Sequence, residues 1–305
     1  MDKKKLIYFA LGTLVLLPSC SQDEPSKREL RGDDTPIYFR SYLPSVTQSR
    51  AAVINENNFT SCQVTCFNPD DADSDDGTLM PYFTDISFNK NEEGNFVARE
   101  EDGIYWPRAS NKLHFFAYYP SVASMKETVG ADFFNLDNAS THSDGKAIID
   151  YHIKKFIVAP EISSQVDFIT AYASASLSEN GNTGIALNFK HQLARVEISA
   201  WGANDKYDYE IAGVRIGNPL TQGDFNLSGL MTDNTQTHFW ENTGAQSVVQ
   251  HIFNPGETIA LVGGGNHESE NDAVSVMGTA GPAMVIPMTS RIEAWEGKND
   301  PAIAN

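Results

Sequence analysis

The sequence contains no apolar run that is long enough to cross a bilayer as a helix. The apolar run near the amino terminus, Leu6 to Leu17, has about 12 residues, whereas a membrane-spanning helix needs roughly 20. No later stretch is both long enough and free enough of charge to serve. The sequence therefore predicts no transmembrane helix.

Basic side chains are scarce as well. The chain has 22 Lys and Arg residues against 40 Asp and Glu residues, which gives a formal net charge of −18 at pH 7. Residues 1–19 hold three lysines and one aspartate, so their removal would change the net charge from −18 to −20. Such an acidic surface repels phosphate backbones and anionic lipid headgroups. We therefore exclude nucleic acid as a partner.

The chain also lacks the spaced motifs of common catalytic and nucleotide-binding sites. It has no HExxH zinc motif and no GxSxG nucleophile elbow. Three glycines, 263–265, follow a predicted strand, but no third spaced glycine comes next to open a helix as a nucleotide fingerprint requires. We expect no enzymatic activity, no catalytic residues and no cofactor.

The densest acidic stretch, residues 70–77, has the composition of a calcium loop but not its spacing. If Asp71 takes the first position of a twelve-residue loop, Gly77 comes one place late and Tyr82 stands where a bidentate glutamate belongs. This stretch therefore predicts a solvated loop, and we expect no metal ligands.

Only three cysteines occur, and two of them, Cys62 and Cys66, lie in an apolar segment. Their spacing places both side chains on one face of a strand, with Cα atoms roughly 13 Å apart, beyond the reach of a disulfide. We predict buried core cysteines. The alternative is a local disulfide, which requires that the segment turns back on itself.

The third cysteine, Cys20, closes a segment with the parts of an export signal. Three lysines precede the apolar run, and Leu17-Pro18-Ser19-Cys20 ends it. That ending resembles the lipobox of bacterial lipoproteins, which predicts a signal peptide over residues 1–19 and acyl chains such as palmitate on Cys20. An ordinary secreted protein is the alternative. Ser21-Gln22-Asp23-Glu24 resembles the acidic tag that sends lipoproteins of the Bacteroidetes to the outer surface.

After a polar tether over residues 20–36, the chain consists of short aromatic and β-branched runs separated by Gly, Pro, Asn and Asp. The runs are Ile37 to Val46, Cys62 to Phe67, Gly103 to Trp106, Leu113 to Tyr119, Val166 to Tyr172, Ile185 to Phe189, Val196 to Trp201, Tyr209 to Ile216, Thr258 to Val262 and Ala283 to Pro287. This pattern is typical of an all-β sandwich. Between Ser121 and Phe156 the pattern is weak, and a short helix over Ser124 to Val129 is an option there.

Length and composition favour two domains. Small and turn-forming residues between Ser174 and Gly184 predict an exposed connection. We assign an amino-terminal β-sandwich to residues 37–178 and a carboxy-terminal one to residues 184–305. The alternation of apolar residues slips phase near Ala194-Arg195 and at Gly213, where we predict bulges or sheet-switching bends.

Three segments resemble the signatures of the fimbrillin family of pilus subunits. Tyr105-Trp106-Pro107 with Leu113 to Pro120 is similar to a "WP … FxAYYP" pattern. Gln165 to Ala171 resembles the strand that closes the first fimbrillin domain. Leu187 to Val196 resembles the "LxFxHxLAKV" stretch that opens the second, with arginine in place of lysine, and Val285-Ile286-Pro287 is a weaker match to a late strand.

The resemblance implies two transthyretin-like β-sandwich domains in tandem and a lipid-anchored protein of the cell outer membrane, exposed at the surface or in fimbriae. It implies assembly with other pilus subunits by β-strand exchange, after a protease cuts behind an arginine and the first strand leaves. The matching bond here is Arg50-Ala51, and the strand at about residues 37–46 would be removed. In the alternative, Arg50 is a surface arginine of a turn and the strand stays.

An adhesive role adds a receptor on a host or bacterial surface to these partners. The chain ends in a polar segment, residues 295–305, where relatives continue into further strands. Either the chain is shortened or its carboxy-terminal domain is completed differently. The alternative function is a glycan-binding surface lipoprotein of a polysaccharide-uptake system, for which Trp201, Trp240 or Trp295 would form a sugar-stacking platform.

Overall fold

The computed structural model of the chain describes residues 35–43, 54–72, 79–107, 112–121, 123–125, 135–143, 146–159, 161–202, 207–216, 219–220, 222–230, 236–241, 251–253, 258–261, 273–277 and 281–287. Regular structure in these ranges is mostly β-strand, which confirms the predicted all-β class. Helical residues are confined to a turn at 123–125, two 3-10 turns and the short helix Leu177–Asn180. Within the same ranges, none of the helices has the length and apolarity to span a membrane.

The strands fall into two main sheets and four short pairs. In chain order they are β1 (Tyr38–Tyr42), β2 (Ser61–Ala72), β3 (Leu79–Lys90), β4 (Phe96–Ala98), β5 (Leu113–Tyr119), β6 (Asn135–Ser143), β7 (Lys146–Ile157), β8 (Ile169–Ala175), β9 (Ile185–Asn188), β10 (Lys190–His191), β11 (Ala194–Val196), β12 (Ser199–Ala200), β13 (Tyr209–Ile211), β14 (Val214–Ile216), β15 (Gln222–Leu230), β16 (Gln236–Glu241), β17 (His251–Phe253), β18 (Ile259–Leu261), β19 (Val274–Ser275) and β20 (Ala283–Val285).

The larger sheet closes on itself. Its eight strands lie in the order β10-β8-β5-β2-β3-β4-β1-β9, and the two outer members, β9 and β10, are separated in the chain only by Phe189. Residues 185–191, which we call the closing segment, therefore pair with β1 in their first half and with β8 in their second half. Closure leaves the sheet without the two free edges that an open sheet has.

The smaller sheet has the order β16-β15-β7-β6. Its central pair joins β7 to β15, so residues before the predicted connection at 174–184 pair with residues after it. The closing segment crosses that connection in the other direction, because it follows the connection and pairs with β1 and β8. Both main sheets thus contain strands from both predicted ranges, 37–178 and 184–305. The division into two domains stays a prediction.

The two predicted phase slips mark places where strand pairing is interrupted. Before Ala194 the chain pairs with β8 through β10, and from Ala194 it pairs with β20 through β11. The change of partner is the predicted sheet-switching bend. At Gly213 the ladder breaks between β13 and β14. Two residues separate β13 from β14 and five separate β17 from β18, so the two sides of this break differ in length.

Among the described residues, buried side chains form three clusters, of which the two larger ones belong to the main sheets. The first contains Phe39, Phe88, Trp106 and Phe115 and lies inside the closed sheet. The second contains Phe116 and Tyr118 of β5 together with side chains from β7 and β15, so it joins the two sheets. Strand β5 supplies both clusters because alternate side chains point to opposite faces. Trp106 and the aromatic residues of β5 are thus core residues, as the sequence predicts, with Tyr119 partly buried.

Strands β6 and β7 occupy most of the region where the sequence pattern is weak. They form an antiparallel hairpin from Asn135↔Lys154 to Ser143↔Lys146. The helical turn at 123–125 overlaps the start of the optional helix at Ser124 to Val129, whose remaining residues lie outside the described ranges. Strand β6 is polar along its length, so its pairing with β7 and not its own apolar alternation accounts for its extended form.

Candidate functional site at the first strand

Strand β1 lies between β4 and β9 and pairs with both. It runs antiparallel to β4, with Phe39 opposite Phe96, and parallel to β9, with Phe39 opposite Ile185. Further backbone hydrogen bonds extend the pairing beyond each end of the strand: the N–H of Trp106 donates to the carbonyl of Thr35 (3.0 Å), and the N–H of Phe189 donates to the carbonyl of Tyr42 (2.9 Å). The first strand thus completes the closed sheet.

The side chains of β1 alternate between core and surface. Ile37, Phe39 and Leu43 are buried, whereas Arg40 and Tyr42 are exposed. Phe39 has no exposed surface, and its ring makes edge contacts with Phe88 (centroids 4.8 Å apart) and Phe115 (5.3 Å). The strand therefore fills pockets for two aliphatic side chains and one aromatic side chain.

A glycine beside β1 fixes how closely the chain packs against it. Gly184 has φ +72°, and a Cβ added there would lie 2.5 Å from the ring of Tyr38. A real Cβ would displace that ring, and the left-handed backbone is also unfavourable for other residues. Tyr38 also lines an open groove of about 550 Å³, together with Val97, Gly103 and Tyr105.

The predicted processing residues are not in this part of the chain. Cys20, Arg50 and Ala51 lie outside the described residues, which stop at Leu43 and resume at Ile54. The candidate bond Arg50-Ala51 nevertheless falls between β1 and the point where the chain re-enters the fold.

The chain re-enters at Ile54, whose backbone is held by a buried carboxyl group. The N–H of Ile54 donates to Oδ2 of Asp167 (3.0 Å), and Nδ1 of His191 donates to the same oxygen (2.7 Å). Asp167 is 2% exposed. Burial, and to a lesser degree the negative charge of Asp167, raise the pKa of the nearby Tyr119. In the sequence, Asp167 and His191 stand only within the family-like segments, and nothing in the local pattern shows that they meet.

The two core cysteines are free and buried, as predicted. Cys62 and Cys66 are on β2, and neither forms a disulfide, so the local disulfide is wrong. Both thiols belong to the same buried cluster as Phe39. Burial raises the pKa of each thiol well above its ordinary value, so neither is a ready nucleophile in the folded chain.

The acidic stretch differs from the expected loop at its start. Asp70 and Asp71 continue strand β2, and residues 73–78 lie outside the described ranges. Among the residues that are described, no three His, Cys, Asp or Glu side chains are grouped so that they could hold a metal ion.

Of the three tryptophans proposed for a sugar platform, the structure describes Trp201 and Trp240, and the two have different surroundings. Trp240 packs its ring against Phe156, Phe168 and Phe225, with centroids 5.0–5.8 Å apart, and its indole N–H donates to the carbonyl of Gln192 (2.8 Å). It is therefore a half-buried side chain that packs against the second buried cluster. Trp201 is 43% exposed, and Trp295 lies outside the described residues.

A family model described as fimbrillin-like matches residues 47–295. The chain belongs to the fimbrillin-like family. This confirms the resemblance seen in the sequence. No curated protein and no solved structure matches the chain.

Fimbrillin-like proteins are structural pilus subunits, so membership indicates a pilus subunit that assembles with other subunits at the outside of the cell. The family match begins at Thr47, just before Arg50, so β1 lies outside the part of this fimbrillin-like chain that the family model covers.

Proposed function

We propose that this fimbrillin-like protein is a surface pilus subunit or adhesin, exported as an outer-membrane lipoprotein and assembled by exchange of its first strand. The observation that carries the proposal is the position of β1, which pairs on both sides and places Phe39 in the core. Its only covalent connection to the rest of the fold is the segment that holds Arg50-Ala51.

Loss of β1 would create a strong acceptor for another strand. The N–H and C=O groups of β4 and β9 would lose their partners, and an unpaired edge of this kind is a template for strand addition. The pockets of Ile37, Phe39 and Leu43 would open to water, at a cost of about 1.5–3 kcal/mol for each side chain. A strand from a neighbouring subunit with apolar side chains at alternate positions satisfies both needs.

The lipid anchor and the domain organisation belong to the same proposal. Acylated Cys20 would hold the precursor at the outer membrane, with residues 20–36 as the tether. We infer that residues 37–178 and 184–305 form two transthyretin-like sandwiches that exchange strands through β7, β15 and the closing segment. The pairing of β7 with β15 and the second buried cluster support this arrangement.

The decisive experiment determines the amino terminus of the protein in surface filaments. We expect sequencing to begin at Ala51, and Arg50→Ala should keep β1 in place and abolish incorporation into filaments. Arg40→Ala is the matched control, because Arg40 is an exposed arginine within β1 itself. Filaments whose subunits begin upstream of β1 would contradict strand removal.

Thiol labelling gives an independent readout on purified protein. Once Cys20 is replaced by Ala, Cys62 and Cys66 are the only thiols left in the chain. Because both lie in the cluster that contains Phe39, we expect a maleimide to react slowly before cleavage and quickly after β1 has left. Equal labelling rates before and after removal of β1 would show that no core groove opens.

A further inference from the structure

In the chain that would remain after a cut at Arg50-Ala51, the first described residues form a held segment, residues 54–60, which we call the brace. Several hydrogen bonds close its turn; in two of them the N–H of Asn55 donates to the side-chain oxygen of Asn58 (2.7 Å) and the N–H of Phe59 donates to the carbonyl of Asn55 (2.9 Å). Lys90 of β3 adds two donors, Nζ to the carbonyl of Glu56 (2.9 Å) and its backbone N–H to that of Thr60 (2.8 Å).

The brace touches both strands that flank β1. The ring of Phe59, which is 1% exposed, packs against Phe96 of β4 with centroids 4.9 Å apart. The same ring makes an edge contact with Phe189 of the closing segment at 4.8 Å. Phe96 and Phe189 belong to opposite sides of the position that β1 occupies, so one side chain of the brace connects the two sides.

A second contact fixes the brace to the closing segment. Asp167 accepts hydrogen bonds from the backbone of Ile54 and from His191, the last residue of the closing segment. The other end of that segment pairs with β1 and bonds to it as far as the carbonyl of Tyr42. Besides its pairing with β8, the closing segment is thus held by a strand that would leave and by a brace that would stay.

We propose that the brace keeps the groove left by β1 at the width of one strand, and that Asp167 is the positioning residue that fixes the brace to its wall. The inference rests on the proposed strand exchange and adds a reason for the site of cleavage, which must lie upstream of Ile54. Once β1 has left, β9 has no strand partner. Without the brace, the closing segment would be held mainly by its pairing with β8 and could move inward to cover the exposed core. A collapsed groove would not accept a donor strand.

The test uses the full chain with a recognition sequence for a specific protease placed between residues 44 and 50. Cleavage leaves β1 bound without a covalent link, and a fluorescent synthetic peptide with the sequence of residues 35–43 then competes for the groove. The affinity for this peptide is compared in wild type, Asp167→Ala and Asp167→Asn. The matched control is His114→Gln, since His114 is another buried histidine whose Nδ1 bonds to a side chain, Tyr172, away from the closing segment.

We expect the nicked wild type to take up the peptide and Asp167→Ala to bind it at least about tenfold more weakly, as the loss of hydrogen bonds to a carboxylate implies. Asp167→Asn keeps an acceptor for the N–H of Ile54 and should restore most of the affinity. Hydrogen exchange at the Ile54 amide should accelerate in Asp167→Ala and not in His114→Gln. A role of Asp167 in general stability alone would not separate these two variants at Ile54.

Two results would contradict the proposal, and they distinguish failure of the brace from failure of strand exchange. Peptide uptake that is equal in wild type and Asp167→Ala overturns the brace alone. No uptake by nicked wild type overturns strand exchange and the brace together. If Asp167→Ala does not fold, His191→Gln gives the same comparison, with an expected loss of affinity because the second hydrogen bond to Asp167 is weakened.

Discussion

Phe39 is the side chain of β1 whose removal should weaken the strand most. It is fully buried and contacts Phe88 and Phe115 edge to face. A buried Phe→Ala substitution costs about 3–5 kcal/mol, because transfer free energy is lost and a cavity remains. In a protein nicked between residues 44 and 50, that cost applies directly to the binding of β1. The dissociation constant of the β1 fragment should rise by about a hundredfold or more.

The assay measures release of the fragment from the nicked protein by size separation or by fluorescence of a label on the fragment. Tyr42→Ala is the matched control, since Tyr42 is an aromatic residue of the same strand that is 48% exposed. Surface substitutions usually change stability by no more than about 0.5 kcal/mol, so this variant should release the fragment nearly as wild type does. Similar release from Phe39→Ala and Tyr42→Ala would refute the assignment of Phe39 as the central anchor.

Three further outcomes follow from single residues. Gly184→Ala should destabilise the docked β1 by about 1–2 kcal/mol from backbone strain alone, and Tyr38→Ala in the same chain should relieve the additional ring clash; additive effects of the two substitutions in urea unfolding would contradict the contact. Burial, assisted by the positive charge of Lys112, lowers the pKa of His114 from 6.5 to about 4. Between those two pH values the unfolded chain therefore binds a proton that the folded chain does not. The stabilisation should be complete above pH 6.5, and the free energy of unfolding should fall as the pH drops to about 4, by up to about 1.4 kcal/mol per pH unit. His114→Gln should remove this part of the pH dependence when unfolding is measured across that range. Metabolic labelling with palmitate should disappear in Cys20→Ala, and persistent labelling would exclude this lipidation site.

The sequence predicted the parts of the fold that carry their own apolar pattern. The strand Leu113–Tyr119 has the predicted bounds because its side chains are apolar or aromatic on both faces and are buried on both. Cys62 and Cys66 are buried without a disulfide, as predicted, because they lie on one face of an apolar strand whose extended backbone keeps them apart. The family signatures work for the same reason, since they consist largely of these core aromatics and their turns.

Pairing between distant segments was not predictable from local patterns. Strand β6 has a polar sequence, and β7 finds its second partner in β15, far along the chain. The contact of Asp167 with Ile54 spans 113 positions, and either residue alone is ordinary. Trp240 was a candidate for the surface because a lone tryptophan in a short strand gives no sign of which face is covered.

The pairing of β1 within the larger sheet has a consequence for a subunit that has not yet assembled. In a subunit that retains β1, the strands β4 and β9 are both paired with it, so these two edges are not offered to a neighbouring molecule. Under the proposed strand exchange, one cut at Arg50-Ala51 would expose both edges. The presence or absence of β1 would then decide whether the same closed sheet is protected from other subunits or open to a donor strand.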